Sequence, residues 1–313
     1  MHNNLFIAGC IGAILSTCLG VSFDSPGLMV VNLLAVCLIG VPHGGLDHLA
    51  GRQWFKSRWR NLWFVPFFAA YLAIAVVTIL GWLLYPLWAA IGFYMISSHH
   101  FGRDEQIATP VSLVGSLIAI GSGGLVIWIP AIARPLEMHR ILQAIIPTAI
   151  GSSSELIVLW TQALAAFFLP IAAANIARLV LSPDERSHGG IMRALRQVSL
   201  ICIFAVTPIP FSFCLFFCGW HSVRGLAQLM QYHRMSLKEL ALASLPMSLG
   251  AIGLCCLGMW FWCGGRDLNA ELTRTLFLGL AGMAVPHLVL HDFMPLAIQY
   301  TTSKVEPQMR NAS

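Results

Sequence analysis

Apolar runs of about 20 residues recur along the whole chain and constrain its fold more than any other feature. A helix needs about 20 apolar residues to cross a hydrocarbon core of roughly 30 Å. The runs that approach this length are 4–20, 27–50, 61–84, 86–102, 111–131, 155–181, 197–231, 239–263 and 275–299. The apolar stretch 136–150 is short and suits an interfacial or re-entrant segment. We predict an all-α polytopic membrane helical bundle with eight or nine transmembrane helices.

The composition excludes a water-soluble fold. Of the 313 residues, 58% are hydrophobic and only 10% are charged. Soluble domains carry about 25% charged residues, and a fold of this length still exposes much of its surface to water. The alternation of a membrane β-barrel is absent, which leaves helices to satisfy the backbone in lipid. We expect one integral membrane domain over residues 1–300, followed by a polar C-terminal tail over 301–313.

The net charge of +5 is spread over short loops. Two of them, 52–60 and 178–196, are clearly basic, and the positive-inside rule puts both on the cytoplasmic side. The basic residues form no dense run with interleaved aromatics, so a nucleic-acid partner is not expected. The first apolar segment lacks a basic n-region, so we interpret it as a retained helix. The expected location is a bacterial plasma membrane, with the lipid bilayer as partner.

Histidines are the unusual polar residues of these apolar segments. Six of the 11 histidines lie within or at the ends of apolar runs: His43, His99, His100, His221, His287 and His291. An ionisable side chain in a membrane segment is costly and is by default a functional candidate. A single one is more often a hydrogen-bonded core residue. Six of them on four or five predicted helices favour one shared site.

The first cluster is the sequence P-H-G-G-L-D-H at 42–48, where a proline and two glycines interrupt a predicted helix. Broken helix at membrane depth is tolerated where it lines a site. Asp47 is four residues after His43, so it lies on the same face if the helix resumes, where a carboxylate can orient a metal-binding imidazole. His48 is turned about 140° from His43. We expect Asp47 and His48 to support ligands rather than to bind metal.

The second and third clusters each offer one inward-facing histidine. His99 and His100 point about 100° apart on a helix, so only one of them can face a given centre. The other can support it or belong to a polar helix end. His221 lies in the sequence G-W-H-S-V-R-G at 219–225. The charge of Arg224 needs an acidic partner within the bundle, which Asp47, Asp104 or Glu105 could supply.

The fourth cluster contains two histidines, and the donor types of all four clusters indicate which metal they could bind. His287 and His291 are four residues apart, a spacing that stacks two rings on one helix face and suits two ligands of one ion. Imidazoles backed by carboxylates suit Fe, Zn, Cu or Ni, and no cysteine lies within the clusters. An all-histidine centre in an apolar setting favours iron that activates O₂ against an apolar substrate.

At these residues the chain resembles the Brp/Blh family of bacterial and archaeal β-carotene 15,15′-dioxygenases. The matching pieces are P-H-G-G-L-D-H at 42–48, H-F-G at 100–102, W-H-S-V-R at 220–224 and P-H at 286–287. Their order and apolar setting agree over essentially the whole chain. The resemblance implies a multi-pass membrane enzyme that uses Fe²⁺ and O₂ to cleave the central double bond of an apolar carotenoid, β-carotene, to two retinals.

The resemblance also implies four histidine ligands. Three of them are, by position, His43, His100 and His221, and the family pattern W-H-S-x-R-H puts the fourth at 225. This chain carries Gly225, which offers no ligand. We expect His291 to supply the fourth ligand, with His287 as the alternative; otherwise three histidines and a water would hold the iron. The side chains expected to support the ligands are Asp47, His48, His99 and Arg224. We assign no catalytic side chain beyond this centre.

Three other interpretations stay open. A family member with Gly225 could bind a carotenoid or retinoid without cleaving it. A di-iron desaturase or hydroxylase would carry several histidine boxes in polar loops, whereas only His287 and His291 have the H-x-x-x-H spacing here. A transporter also breaks its helices at a binding site, but the paired inverted segments of such proteins are not found in the sequence.

Overall fold

The computed structural model describes residues 2–103, 112–146, 153–182, 188–262 and 268–293, and all regular structure in these ranges is helical. The α-helices are α1 (His2–Cys18), α2 (Pro26–Ala35), α3 (Val41–Gly44), α4 (Asp47–Trp59), α5 (Phe64–Leu84), α6 (Pro86–Arg103), α7 (Leu113–Gly123), α8 (Leu125–Ala133), α9 (Pro135–Ile145), α10 (Ser153–Leu181), α11 (His188–Val206), α12 (Ile209–Phe216), α13 (Val223–His233), α14 (Leu237–Trp262) and α15 (Leu268–Leu288). Three π-helical turns, Val36–Gly40, Phe217–Ser222 and Val289–Phe293, and a 3₁₀ turn, Arg60–Leu62, connect some of them. The predicted all-α class is confirmed.

The long apolar helices make this a membrane protein. Among the described residues, six stretches are long and apolar enough to cross a bilayer: Pro26–Leu62, Phe64–Leu84, Ser153–Leu181, Gly189–Val206, Leu237–Met259 and Ala270–Asp292. Helices α7 and α8 bend by 51° against each other and give a seventh if they form one span. The predicted number was eight or nine. It counted α1, whose apolar part Asn3–Cys18 is shorter than a span, and α6, which ends in histidines and an arginine.

The prediction of one span over 197–231 was wrong. Helix α11 ends at Val206, and α12 starts at Ile209 after a break at Thr207 and Pro208. Pro208 has an extended backbone (φ −57°, ψ 143°) and no N–H to continue the hydrogen-bond ladder. The hydroxyls of Thr207 and Ser212 lie 2.6 Å apart across this break. The residues around His221 therefore form a segment separate from α11, made of α12, the π-turn Phe217–Ser222 and α13.

Close helix contacts fix the position of α6. A Cβ atom added to Gly102 would lie 1.9 Å from the carbonyl oxygen of Ala119, so α6 and α7 touch through their backbones at this level. Gly123 repeats the close approach against the carbonyl oxygen of Ser98. Behind α7 and α8, the rings of Trp128 and Phe168 stack with their centres 5.4 Å apart. The end of α6 that carries the histidine pair is therefore held by backbone contact.

Candidate metal centre

Irregular helix accompanies three of the six histidines in the bundle. A π-helical turn, Val36–Gly40, directly precedes the short helix that carries His43. A second, Phe217–Ser222, contains His221, and a third, Val289–Phe293, contains His291. Single π-turns inside helices are rare and occur often at functional sites, because the extra residue rotates the side chains that follow it. The π-turns of the described chain therefore lie at or directly beside histidines.

Four of these imidazoles form a closed ring. The ring centroids of His43 and His221 are 5.2 Å apart, and those of His221 and His100 are 5.3 Å apart. His287 closes the ring at 5.5 Å from His100 and 5.0 Å from His43. The adjacent rings meet edge to face, with interplanar angles from 61° to 81°. Residues from four separate segments thus converge on one position.

The size of this ring matches a single bound ion. A nitrogen about 2.0–2.1 Å from an ion puts its ring centre about 3 Å from that ion, so neighbouring imidazoles stand about 4.5–5 Å apart. The observed centroid separations are slightly wider. Nδ1 of His43 and Nε2 of His100 are buried without a hydrogen-bond partner among the described residues. Such buried polar atoms are costly unless something satisfies them, and a metal ion would do so.

Gly225 lies directly against this ring. A Cβ atom at this position would be 2.1 Å from Cε1 and 2.6 Å from Nδ1 of His43. The place where the resemblance puts a histidine is therefore filled by the imidazole of His43. His287, from a distant segment, stands in the ring as its fourth member.

Asp47 lies behind His287 as a buried hydrogen-bond acceptor. Its Oδ1 accepts from Nδ1 of His287 at 2.8 Å and from Nε2 of His291 at 3.0 Å. Its Oδ2 accepts from the hydroxyl of Tyr71 at 2.9 Å. The helix does not run on from His43 to Asp47, because α3 ends at Gly44 and α4 begins at Asp47. The carboxylate therefore reaches the histidines of α15 and its π-turn.

Asp292 takes a similar position behind the histidines of α6. Its Oδ2 is 3.2 Å from Nδ1 of His100 and 3.6 Å from Nδ1 of His99, and Arg103 approaches its Oδ1 at 3.6 Å. The contact with His100 is close but is not aligned as a hydrogen bond. Asp292 was missed by the sequence reasoning, although it directly follows His291 in the sequence H-L-V-L-H-D at 287–292.

The other expected supporting residues have different surroundings. Nδ1 of His48 lies 3.0 Å from the carbonyl oxygen of Gly45, in the turn before α4. The guanidinium of Arg224 lies 5.2 Å from the ring centre of Trp220. Two of the acidic residues considered as its partners, 104 and 105, lie outside the described residues.

A smaller grouping of donors overlaps the ring of four. One ligand atom each from Asp47, His287 and His291 lies within 4.8 Å of the others. Two histidines and a carboxylate are also a known ligand set for non-haem Fe²⁺. All three side chains are already joined by hydrogen bonds through Oδ1 of Asp47, whereas His43 and His100 present buried nitrogens that no described residue satisfies. The unsatisfied nitrogens favour the ring of four.

The four histidines line an apolar cavity of about 640 Å³. Its walls come mainly from α5, α14 and α15, with side chains such as Leu72, Met247 and Leu278. Phe101 and Phe217 line it beside the histidines. Volumes of about 300–1,000 Å³ are usual for small-molecule sites, and apolar walls select an apolar ligand.

Comparison with known proteins identifies the family. The sequence profile described as "Beta-carotene 15,15'-dioxygenase" matches residues 34–295. A protein of that name from the uncultured marine bacterium 66A03 is 27% identical over 273 residues, which cover 86% of this chain and 95% of the relative. The "Probable beta-carotene 15,15'-dioxygenase Blh" of Halobacterium salinarum (strain ATCC 700922 / JCM 11081 / NRC-1) is 24% identical over 302 residues, or 88% of this chain and 86% of the relative. No solved structure matches. The match over residues 34–295 contains all four histidine segments, and the chain belongs to the β-carotene 15,15′-dioxygenase family.

Proposed function

We propose that this protein cleaves the central double bond of β-carotene with O₂ to give two molecules of retinal, and that it requires Fe²⁺. The observation that carries the proposal is a ring of four imidazoles that opens on an apolar cavity in a member of this family. The names of the relatives support the substrate. The chemistry of the donors supports iron, because neutral imidazoles suit a metal that activates O₂.

The ligands in this proposal are His43, His100, His221 and His287. His287 replaces His291, which we expected first from the sequence, because the ring of His287 neighbours those of both His43 and His100. His291 stands behind it, with its ring centre 4.5 Å from that of His287 and its Nε2 on Asp47. In this proposal His291 has a supporting part.

Iron bound in the ring would supply the oxidative chemistry, and the chain supplies position and a dry environment. The apolar walls bind the polyene by burying its surface and exclude water from the reacting bond. The aromatic rings of Phe101 and Phe217 sit where the cavity meets the histidines, so they contact the part of the substrate nearest the metal. The polyene is held by packing, since its middle carries no polar group to be recognised.

The membrane supplies the substrate in this proposal. A carotenoid dissolves in the hydrocarbon core, and the cavity lies among helices that cross it. The basic segment 52–60 was predicted as a loop, but residues 52–59 form the second half of α4. By the positive-inside rule this segment lies on the cytoplasmic side, in the plasma membrane of a bacterium. The histidine ring then lies toward the cytoplasmic half of the bilayer, because His43 and His100 belong to the helix ends nearest that segment.

The test is expression in a bacterial host that accumulates β-carotene. We expect loss of orange colour with formation of retinal, and no retinal when O₂ is withheld or iron is chelated. His221→Ala should keep the colour, whereas Gly92→Ala should lose it like the wild type, because no described atom lies within 4 Å of a Cβ there. Unchanged colour from a folded, iron-loaded protein contradicts the proposal. Gly225 left open a family member that binds a carotenoid without cleaving it. A protein that co-purifies with intact carotenoid under these conditions would be such a member, and this result would also contradict the proposal.

A further inference from the structure

Each of two buried carboxylates ties one histidine segment to a histidine of another segment. Asp47 follows His43 in the chain, but it accepts a hydrogen bond from His287, 240 residues away. Asp292 follows His287, but it lies against His100. The segments of His43, His287 and His100 are therefore connected in this order, with the carboxylate of one behind the imidazole of the next. These contacts join three of the four segments of the ring.

We propose that Asp47 and Asp292 are positioning residues that fix the ring orientation and tautomer of His287 and His100 for metal binding. The inference rests on the metal site of the proposed function. A carboxylate that accepts from Nδ1 keeps the proton on that nitrogen, so the lone pair of the neutral ring is left on Nε2. In His287 the Nδ1 contact with Asp47 is 2.8 Å, and Nε2 is the nitrogen left to bind metal. In His100, Nε2 is buried and has no partner among the described residues.

Asp47 is itself held on both oxygens. Its side chain is buried, at 4% exposure, which is tolerable for a carboxylate only when it is fully hydrogen-bonded. Tyr71 donates to Oδ2 at 2.9 Å and also lies 3.3 Å from the carbonyl oxygen of Met283. His291 gives Oδ1 a second donor at 3.0 Å. His291 and Tyr71 therefore act through Asp47, which in turn acts on His287.

Asp292 is held less tightly. It is also buried, at 5% exposure, and its neighbours are His99, His100 and the guanidinium of Arg103. These contacts span 3.2–3.6 Å, and that to His100 is not aligned as a hydrogen bond. The contact between Asp292 and His100 is therefore weaker than the hydrogen bond between Asp47 and His287. Loss of the Asp47 contact should weaken metal binding more than loss of the Asp292 contact.

The experiment measures metal binding by the purified full chain in detergent, with Co²⁺ as the probe. Co²⁺ gives an absorption spectrum that reports the number and kind of its ligands, independently of carotenoid cleavage. The variants are Asp47→Asn and Asp292→Asn, which keep the shape of each side chain but remove its charge. Glu155→Gln is the matched control, because Glu155 is an exposed carboxylate on α10. Thermal unfolding of each metal-free variant checks that it is folded.

We expect Asp47→Asn to weaken Co²⁺ affinity by about 10–100-fold, the effect of removing an orienting partner from a metal-bound histidine. Asp292→Asn should weaken it less but measurably, and Glu155→Gln should not change it. Tyr71→Phe is a milder second probe that leaves both carboxylates in place and should lower the affinity by a smaller factor than Asp47→Asn. Equal affinities for the wild type, Asp47→Asn and Asp292→Asn would overturn the inference.

Two further results separate this inference from the proposed function. Loss of Co²⁺ binding in His291→Phe, with binding retained in His43→Phe, would make Asp47, His287 and His291 the ligands and overturn the positioning role. Binding that follows the expected order in a chain that forms no retinal would support the inference and contradict the proposed function. The same order together with retinal formation supports both.

Discussion

The histidine-bearing segments and the lipid-facing helices have similar apolar residues but different regularity. Helix α14 runs for 26 residues and α5 for 21, and their outer faces expose side chains such as Leu249 and Val77. Around His43 and His221 the chain instead breaks into pieces of four to eight residues that include π-turns, and a further π-turn, with His291, follows the helix of His287. A regular helix is sufficient to cross the bilayer. Irregular helix accompanies two of the four imidazoles of the ring, those of His43 and His221, whereas His100 and His287 lie on the long helices α6 and α15.

The two regions also differ in what a small change should do. On the outer faces, a side chain meets lipid, which adapts to its shape. Around the ring, glycines such as Gly102 and Gly225 touch backbone or imidazole so closely that even one methyl group has no room. Substitutions to alanine at paired glycines, one in each region, therefore test the difference directly.

The largest effect is expected for Gly102→Ala. Its Cβ would lie 1.9 Å from a backbone oxygen of α7, which has no rotamer to change, so α6 and α7 must separate. Overpacking of this kind costs about 1–3 kcal/mol, and a backbone clash belongs at the upper end. Gly92→Ala on the same helix is the control, since no described atom lies within 4 Å of its Cβ. Thermal unfolding in detergent measures both, and equal midpoints would contradict the close packing of α6 and α7.

A smaller effect, confined to metal binding, is expected for Gly225→Ala. The added methyl group must displace the ring of His43, which can rotate but then leaves its place beside His221 and His287. Co²⁺ affinity should fall by about 10-fold or more, comparable to the loss of an orienting partner. Gly253→Ala, on the open face of α14, should bind as the wild type does.

Gly225→His sharpens this test. It restores the residue of the family pattern, yet it should weaken metal binding in this chain, because His43 already occupies the space. Tighter binding by Gly225→His would contradict the arrangement of His43 and His287 described above.

Much of the site could be predicted from the sequence, because prolines and glycines mark the helix breaks on the chain itself. Pro42 and the paired glycines after His43 predicted the helix break in this segment. Histidines within membrane segments are costly, which made them candidates for a functional site. What could not be predicted depends on tertiary structure. A π-turn has no sequence signature of its own, and the one at Val289–Phe293 contains His291. The rings of His287 and His291 still lie side by side, with centres 4.5 Å apart, as their spacing predicted, but the sequence could not show that both contact Asp47.

The fold likewise has parts that the sequence predicts and parts that depend on tertiary structure. The ends of the long spans predicted at 61–84, 155–181 and 239–263 agree within about three residues with the described helices α5, α10 and α14, because length and apolarity are enough to define them. The segment 197–231 was mistaken for one span, since its composition is uniformly apolar on both sides of Pro208. The part of Asp292 also escaped prediction, because its neighbour His100 is distant in sequence and close only in the folded chain.

The central claim is that His287, and not His291, completes the ring of four. The most direct test is Co²⁺ titration of purified His287→Ala and His291→Ala, with the absorption spectrum recorded for each. His287→Ala should lose more affinity than the about 10–100-fold expected for an orienting partner, and its spectrum should report one fewer nitrogen ligand. His291→Ala should keep the wild-type spectrum and lose at most that factor. The reverse order, with the spectrum changed only in His291→Ala, would contradict the account.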